Sequence, residues 1–231
     1  MRFLVAFCWL VVSVNISYAQ TNNENDQYYL YLIGDAGEPW VASAPYSTTI
    51  QSQLTNNAHV PSAIVYLGDN VYPRGVEEED HKNRKEGEQT LKDQVAITGE
   101  RSDVYFIPGN HDWKKGKRNG LQQLGYQQKF IDSLRNPKIQ FLPQNGCPGP
   151  VEVALSDQIT LVIIDSQWWL HPWEKPEGET STCEYKTKPE VIDAVADVLQ
   201  RNQGKQVVIA AHHPLYTYGA HGGVSTLKDH I

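Results

Sequence analysis

Short apolar runs recur along the chain, with polar or amphipathic stretches between them. They are YYLYLIG at 28–34, AIVYLG at 63–68, VYFIPG at 104–109, ITLVIID at 159–165 and QVVIAAH at 206–212. Runs of this length, rich in Val, Ile and Tyr, predict strands buried on both faces. The segments near 45–57, 88–98, 121–134 and 188–202 predict helices between them. The last is the best marked. Thr187 and Glu190 make a capping box, Ile192, Val195, Ala196 and Leu199 form one apolar face, and Gly204 follows the end. Strands alternating with helices, without an internal repeat, predict an α/β domain whose sheet is covered by helices.

The N-terminal pattern differs from the rest. MRFLVAFCWLVVSVNISYA has an early Arg2, an apolar stretch from Phe3 to Val12 and Ser17-x-Ala19 before Gln20. It reads as a signal peptide over 1–19, followed by a disordered polar leader at 20–27 and one domain over 28–231. Nothing later approaches the length of apolar sequence that a membrane-spanning helix needs. The expected location is therefore outside the cytoplasm: periplasmic, cell-surface or secreted.

A net charge of −7, from 20 basic and 27 acidic residues, argues against nucleic acid as a partner. Cys147 and Cys183 remain once Cys8 leaves with the signal, and in an oxidising compartment they most simply form a disulfide. Two charge runs stand out. EEEDHKNRKE at 77–86 reads as a solvated loop. WKKGKR at 113–118 is either that or a cationic loop that attracts an anionic substrate, because it directly follows a candidate site. QWWLHPW at 167–173 reads equally as a substrate-lining loop or a packed structural one.

Polar groups able to bind metal stand at the ends of four predicted strands. They are Asp35, then Asp69 with Tyr72, then Asn110, His111 and Asp112, then His212 and His213. Ligands of open α/β sheets bind beyond the carboxyl ends of strands, so residues this far apart in sequence can converge there. Each block alone is weak, since Gly-Asp after a strand is usually a turn. Their common placement suits two metal ions sharing one carboxylate. Asp69 is the natural bridge, Asp35 and Tyr72 complete one side, and Asn110 and His212 the other. A carboxylate with a phenolate favours a trivalent ion such as Fe(III). The alternative for Tyr72 is a ring packed under the loop.

GDAG, GDNVY, GNHD and AAHHP followed by GAHG resemble the ordered blocks of the calcineurin-like metallophosphoesterases, and more narrowly the small, tartrate-resistant purple acid phosphatases. Where the superfamily usually has Asp-x-His, this chain has Asp35-Ala36-Gly37, and Tyr72 replaces the missing histidine. The resemblance implies a two-sheet β-sandwich flanked by helices. It also implies Fe(III) on Asp35, Asp69 and Tyr72, with a divalent Fe, Zn or Mn ion on Asp69, Asn110 and His212. His111 and His221 would orient the phosphate and help protonate the leaving alkoxide, with His213 a loop residue. The implied reaction is hydrolysis of a small phosphate monoester by a hydroxide generated at the metals.

The family's last block, Gly-His-x-His, is not in the chain, and STLKDHI reads as the start of a helix. The domain is therefore expected to lack a final helix and strand. A phosphodiesterase or nucleotidase on the same scaffold, and an exported metal-binding or interaction domain without turnover, are the competing readings.

Overall fold

The computed structural model describes residues 27–39, 44–98, 101–217 and 223–224. The segment expected to be a signal peptide, most of the expected leader and His221 fall outside them.

The alternation of side chains along β2 (Ser62–Tyr66) divides the core. Ala63 and Val65 face one way, Ile64 and Tyr66 the other, and all four are fully buried. β2 lies between β1 (Tyr29–Ile33) and β3 (Asp103–Phe106), and β4 (Ile139–Phe141) joins β3 to complete an all-parallel sheet in the order β1-β2-β3-β4. Parallel neighbours need crossovers. Here these are α1 (Pro45–Asn56), α2 (Arg84–Thr98) and α3 (Gly120–Ser133). Ile64, Tyr66, Val104 and Phe106 share a core with Leu91 of α2 and with Leu124, Phe130 and Ile131 of α3.

A second sheet covers the opposite face. In it β6 (Ile159–Ile163) pairs antiparallel with β5 (Val151–Ala154) and parallel with β7 (Gln206–Ala210). Ala63, Val65, Tyr105 and Ile107 of the first sheet meet Leu161, Ile163 and Ala210 of the second. The architecture is thus α/β, two sheets flanked by helices. A small antiparallel ribbon, β8 (Tyr216–Thr217) with β9 (Gly223–Val224), follows.

Two expectations need correction. Burial on both faces holds for β2 and β3, but β1 and β7 lie at the ends of their sheets as described and leave Leu32 and Ile209 about half exposed. The capping box of Thr187 and Glu190 does open α5 (Lys188–Arg201), yet the buried stripe is Val191, Ala194 and Val198. Ile192, Ala196 and Leu199 of the expected face are exposed, and Val195 is half-buried. Apolar residues occupy so wide an arc of this helix that periodicity alone does not choose its rotation. Anchoring from the C-terminal end does: Asn202 accepts from Thr160 Oγ1 of β6 at 3.0 Å and donates to Glu152 of β5 at 2.6 Å.

Between β6 and α5 runs a short helix, α4 (Ser166–Leu170), in the stretch read as a loop. Cys147 and Cys183 are joined, their Cα atoms 5.6 Å apart, tying the segment after β4 to the one before α5. No described helix is long and apolar enough to cross a membrane.

Candidate metal centre

The loops after β1, β2, β3 and β7 are pressed together. A Cβ on Gly68 would stand 2.7 Å from His212 Nδ1, and one on Gly109 would collide with the backbone N and Oδ1 of Asp69. Only glycine permits that approach. Asp35 and Asp69 adopt left-handed backbone, with φ of 56° and 54°. Such strain concentrates where side chains must be aimed.

The result is a cluster in which donor atoms of Asp35, Asp69 and His212 all lie within 4.8 Å of one another. Tyr72 joins it, its hydroxyl 3.0 Å from Asp35 Oδ1 and 3.2 Å from Asp69 Oδ2. Burial first, then the two carboxylates, pushes this phenol well above its ordinary pKa. Asn110 Oδ1 lies 3.2 Å from His212 Nε2, which is 3.5 Å from Asp69 Oδ1. His111 Nε2 is 3.8 Å from Asp69 Oδ2, and its backbone N–H donates to Asp69 Oδ1 at 2.8 Å. The strand ends therefore bring Asp35, Asp69, Tyr72, Asn110, His111 and His212 to one place.

The residues fit a cation. A carbonyl oxygen can only accept, so the 2.8 Å contact of His212 Nδ1 with Leu67 O puts the ring proton on Nδ1. Nε2 is then the ring atom that faces the amide oxygen of Asn110 and a carboxylate oxygen of Asp69. An imidazole nitrogen, an amide oxygen and a carboxylate oxygen converging in this way are a donor set that suits a divalent cation, and histidine ligands are characteristically oriented by such a bond from the other nitrogen.

Asp112, counted among the possible metal donors, turns away from the cluster. It is fully buried, accepts from Gly109 N at 2.8 Å, and takes both the backbone N–H and the side-chain amide of Asn70, at 3.0 and 3.1 Å. Burial, followed by the charge of Asp69, pushes its pKa up to about 8. It ties the β2 loop to the β3 loop. Gln94 of α2 makes the matching tie between the first two loops, donating to Ala36 O at 2.8 Å and Asn70 O at 3.0 Å. Neither Asn70 nor Gln94 stands out in the sequence, although Asn70 directly follows the bridging aspartate.

His213 is held apart from the cluster. Its backbone N–H donates to Ser166 Oγ at 3.0 Å, and its Nδ1 is hydrogen-bonded to the same hydroxyl at 2.9 Å. Burial, with His212 adding to it, lowers the His213 pKa to about 4. The aromatic stretch divides: Trp168 and Trp169 are core residues, while Trp173 is 39% exposed beneath the Arg118 guanidinium, 4.2 Å from its ring.

Asp165 organises this side. Its Oδ2 accepts from Trp113 Nε1 at 2.8 Å and its Oδ1 from Trp168 N at 3.1 Å, capping α4. Complete burial raises its pKa to about 7. The folded protein thus holds this proton more tightly than the unfolded chain, whose carboxyl titrates near 4. That contribution is full below about pH 4 and is lost as pH rises towards about 7. Asp165→Asn carries no such titration. The unfolding free energy of the wild type, relative to the variant, should fall across that window in denaturant titrations; a constant difference would mean that Asp165 is ionised throughout.

No curated protein matches the chain. A solved structure described as GAP50, the anchor in the inner membrane complex of Plasmodium, is similar at 14% identity and a TM-score of 0.47, over 87% of this chain and 59% of that one. The family described as calcineurin-like phosphoesterase matches residues 28–230 and so takes in all four loops of the cluster. Its chemistry is metal-dependent hydrolysis of phosphoesters. The chain belongs to the calcineurin-like phosphoesterase family.

Proposed function

We propose that the protein hydrolyses phosphate monoesters at a dinuclear metal centre of the purple acid phosphatase kind. The observation that carries this reading is the convergence of two carboxylates, a phenol, an amide oxygen and an imidazole nitrogen. Asp35, Asp69 and Tyr72 would hold one ion, ferric by the nature of its donors, and Asp69, Asn110 and His212 a divalent one. When bound, the ions supply an acidified water and neutralise the phosphoryl oxygens.

The chain's own residues handle the rest. Water adds to phosphorus, the ester P–O bond breaks, and the departing alkoxide takes a proton. His111 Nδ1 donates to Pro73 O at 2.7 Å, which aims Nε2 along the cluster. Nε2 is then the atom placed to orient the phosphate and, when the ring is an imidazolium, to pass that proton and leave the ring neutral with its proton on Nδ1. His221, the other acid named from sequence, falls outside the described residues. His111→Ala should lower kcat by on the order of 10²-fold while bound metal stays unchanged. Loss of metal in that variant would make His111 a ligand instead.

The test compares an aryl phosphate with the corresponding diaryl phosphate, with and without chelator. Faster, chelator-sensitive hydrolysis of the monoester is expected. Preference for the diester would move the assignment to a phosphodiesterase, and no turnover with metals supplied would favour a binding domain. Reconstitution with Fe(III) should give a visible absorption band that Tyr72→Phe loses; its absence would argue against the purple acid type. Export rests on the Arg2, apolar run and Ala19 pattern, and a mature N-terminus other than Gln20 would contradict it.

A further inference from the structure

We propose that the loop Trp113–Arg118 selects the substrate, and that it selects phosphoesters carrying a second anionic group. This rests on the phosphoesterase reading above. The loop leaves the cluster at Asp112 and coils back on it: Lys115 N donates to His111 O at 3.3 Å, and Gly116 N to Asn110 O at 3.0 Å. It is bound to the backbone of two residues of the centre, not merely next to them in sequence.

Its conformation is an expensive one for lysine. Lys114, Lys115 and Gly116 are consecutive left-handed residues, with φ of 56°, 57° and 65°. Left-handed backbone strains an ordinary L-residue, and glycine or asparagine would hold the turn with less strain. A solvated turn has no need of two lysines there; a turn that presents ammonium groups does.

The charges are also unspent. The side chains of Lys114, Lys115 and Lys117 make no hydrogen bond or ion pair with the described residues. Elsewhere Arg84 pairs with Glu88, Lys129 with Glu79, Lys175 with Glu177 and Arg201 with Glu152. In a chain with an excess of acid, this loop gathers four cations in five residues with no acidic residue among them. Its base is rigid. The buried Trp113 is fixed through Nε1 to Asp165, and Arg118 lies over Trp173. Such a fixed cationic rim concentrates anions and orients them.

The amount of charge identifies the ligand class. Two metal ions already balance a single phosphate ester. A loop of four further cations, bonded through its backbone to His111 and Asn110, matches a ligand with another phosphate or comparable anion, such as a sugar bisphosphate.

The experiment uses the full chain reconstituted with metal. It measures kcat/KM for a sugar bisphosphate and for the corresponding monophosphate. The exposed side chains Lys115, Lys117 and Arg118 are neutralised as K115Q/K117Q/R118Q, which breaks no ion pair. K82Q/K85Q/K205Q removes equal charge elsewhere. The wild type should favour the bisphosphate by on the order of tenfold at low ionic strength, as one or two solvent-exposed ion pairs allow. The loop variant should lose most of that ratio and the distant variant keep it. A wild-type ratio near one, or a ratio unchanged by the loop substitutions, overturns the proposal.

If the wild type turns over neither substrate, the phosphoesterase reading fails separately. Calorimetric binding of pyrophosphate then decides: weaker binding to the loop variant than to the wild type supports the loop as an anion site, and equal binding refutes it.

Discussion

Asp69→Ala is expected to lower kcat/KM for an aryl phosphate by on the order of 10³-fold or more, and to remove bound metal with it. Asp69 contacts three other members of the cluster: Tyr72 through Oδ2, and the His111 N–H and the His212 ring through Oδ1. Its side chain is buried and its backbone is left-handed. Asp69→Asn keeps the shape but loses the charge that would lie between two cations. It should retain the fold while losing metal nearly as completely as the alanine variant. A variant with near wild-type kcat/KM would mean that the chemistry happens elsewhere.

Asp112→Ala should lower the unfolding free energy by about 1–3 kcal/mol for each buried donor left without its acceptor. The backbone N–H groups of Asn70 and Gly109 and the Asn70 amide would lose their acceptor where no water reaches. Those residues flank Asp69 and Asn110, so activity should fall together with stability. Asp112→Asn keeps one acceptor oxygen and should be the milder change in both. The check is denaturant unfolding alongside metal content. A destabilised variant that still binds metal as tightly as the wild type would show that the loops hold their places without this tie.

The strand ends are legible in the sequence because an apolar run that stops at Gly-Asp or Gly-Asn marks the edge of the sheet and the residue just beyond it. Asp35, Asp69 and Asn110 stand on that signal, whereas His212 follows its apolar run directly, without a glycine. β4 and β5 are not, since β4 has three residues and the VEVA of β5 alternates with a half-exposed face. The rotation of α5 depends on where β5 and β6 offer Glu152 and Thr160 to Asn202, a long-range fact. Asp112 looks like a metal donor beside His111, and only the inward turn of the β3 loop gives its oxygens to Asn70 and Gly109. Gln94 is invisible for a related reason: a glutamine on a largely polar helix carries no mark of burial. QWWLHPW, ambiguous as a string, divides because Asp165 caps a helix that buries Trp168 and Trp169 and leaves Trp173 outside.

The central claim is that these residues form a metal site, and calorimetric titration of the chelator-stripped protein with Mn²⁺ or Zn²⁺, in parallel with Asp69→Ala, tests it most directly. The account predicts saturable binding to the wild type and none to the variant, with phosphatase activity returning only in the former. Equal binding by both proteins, or activity restored without binding, would contradict it.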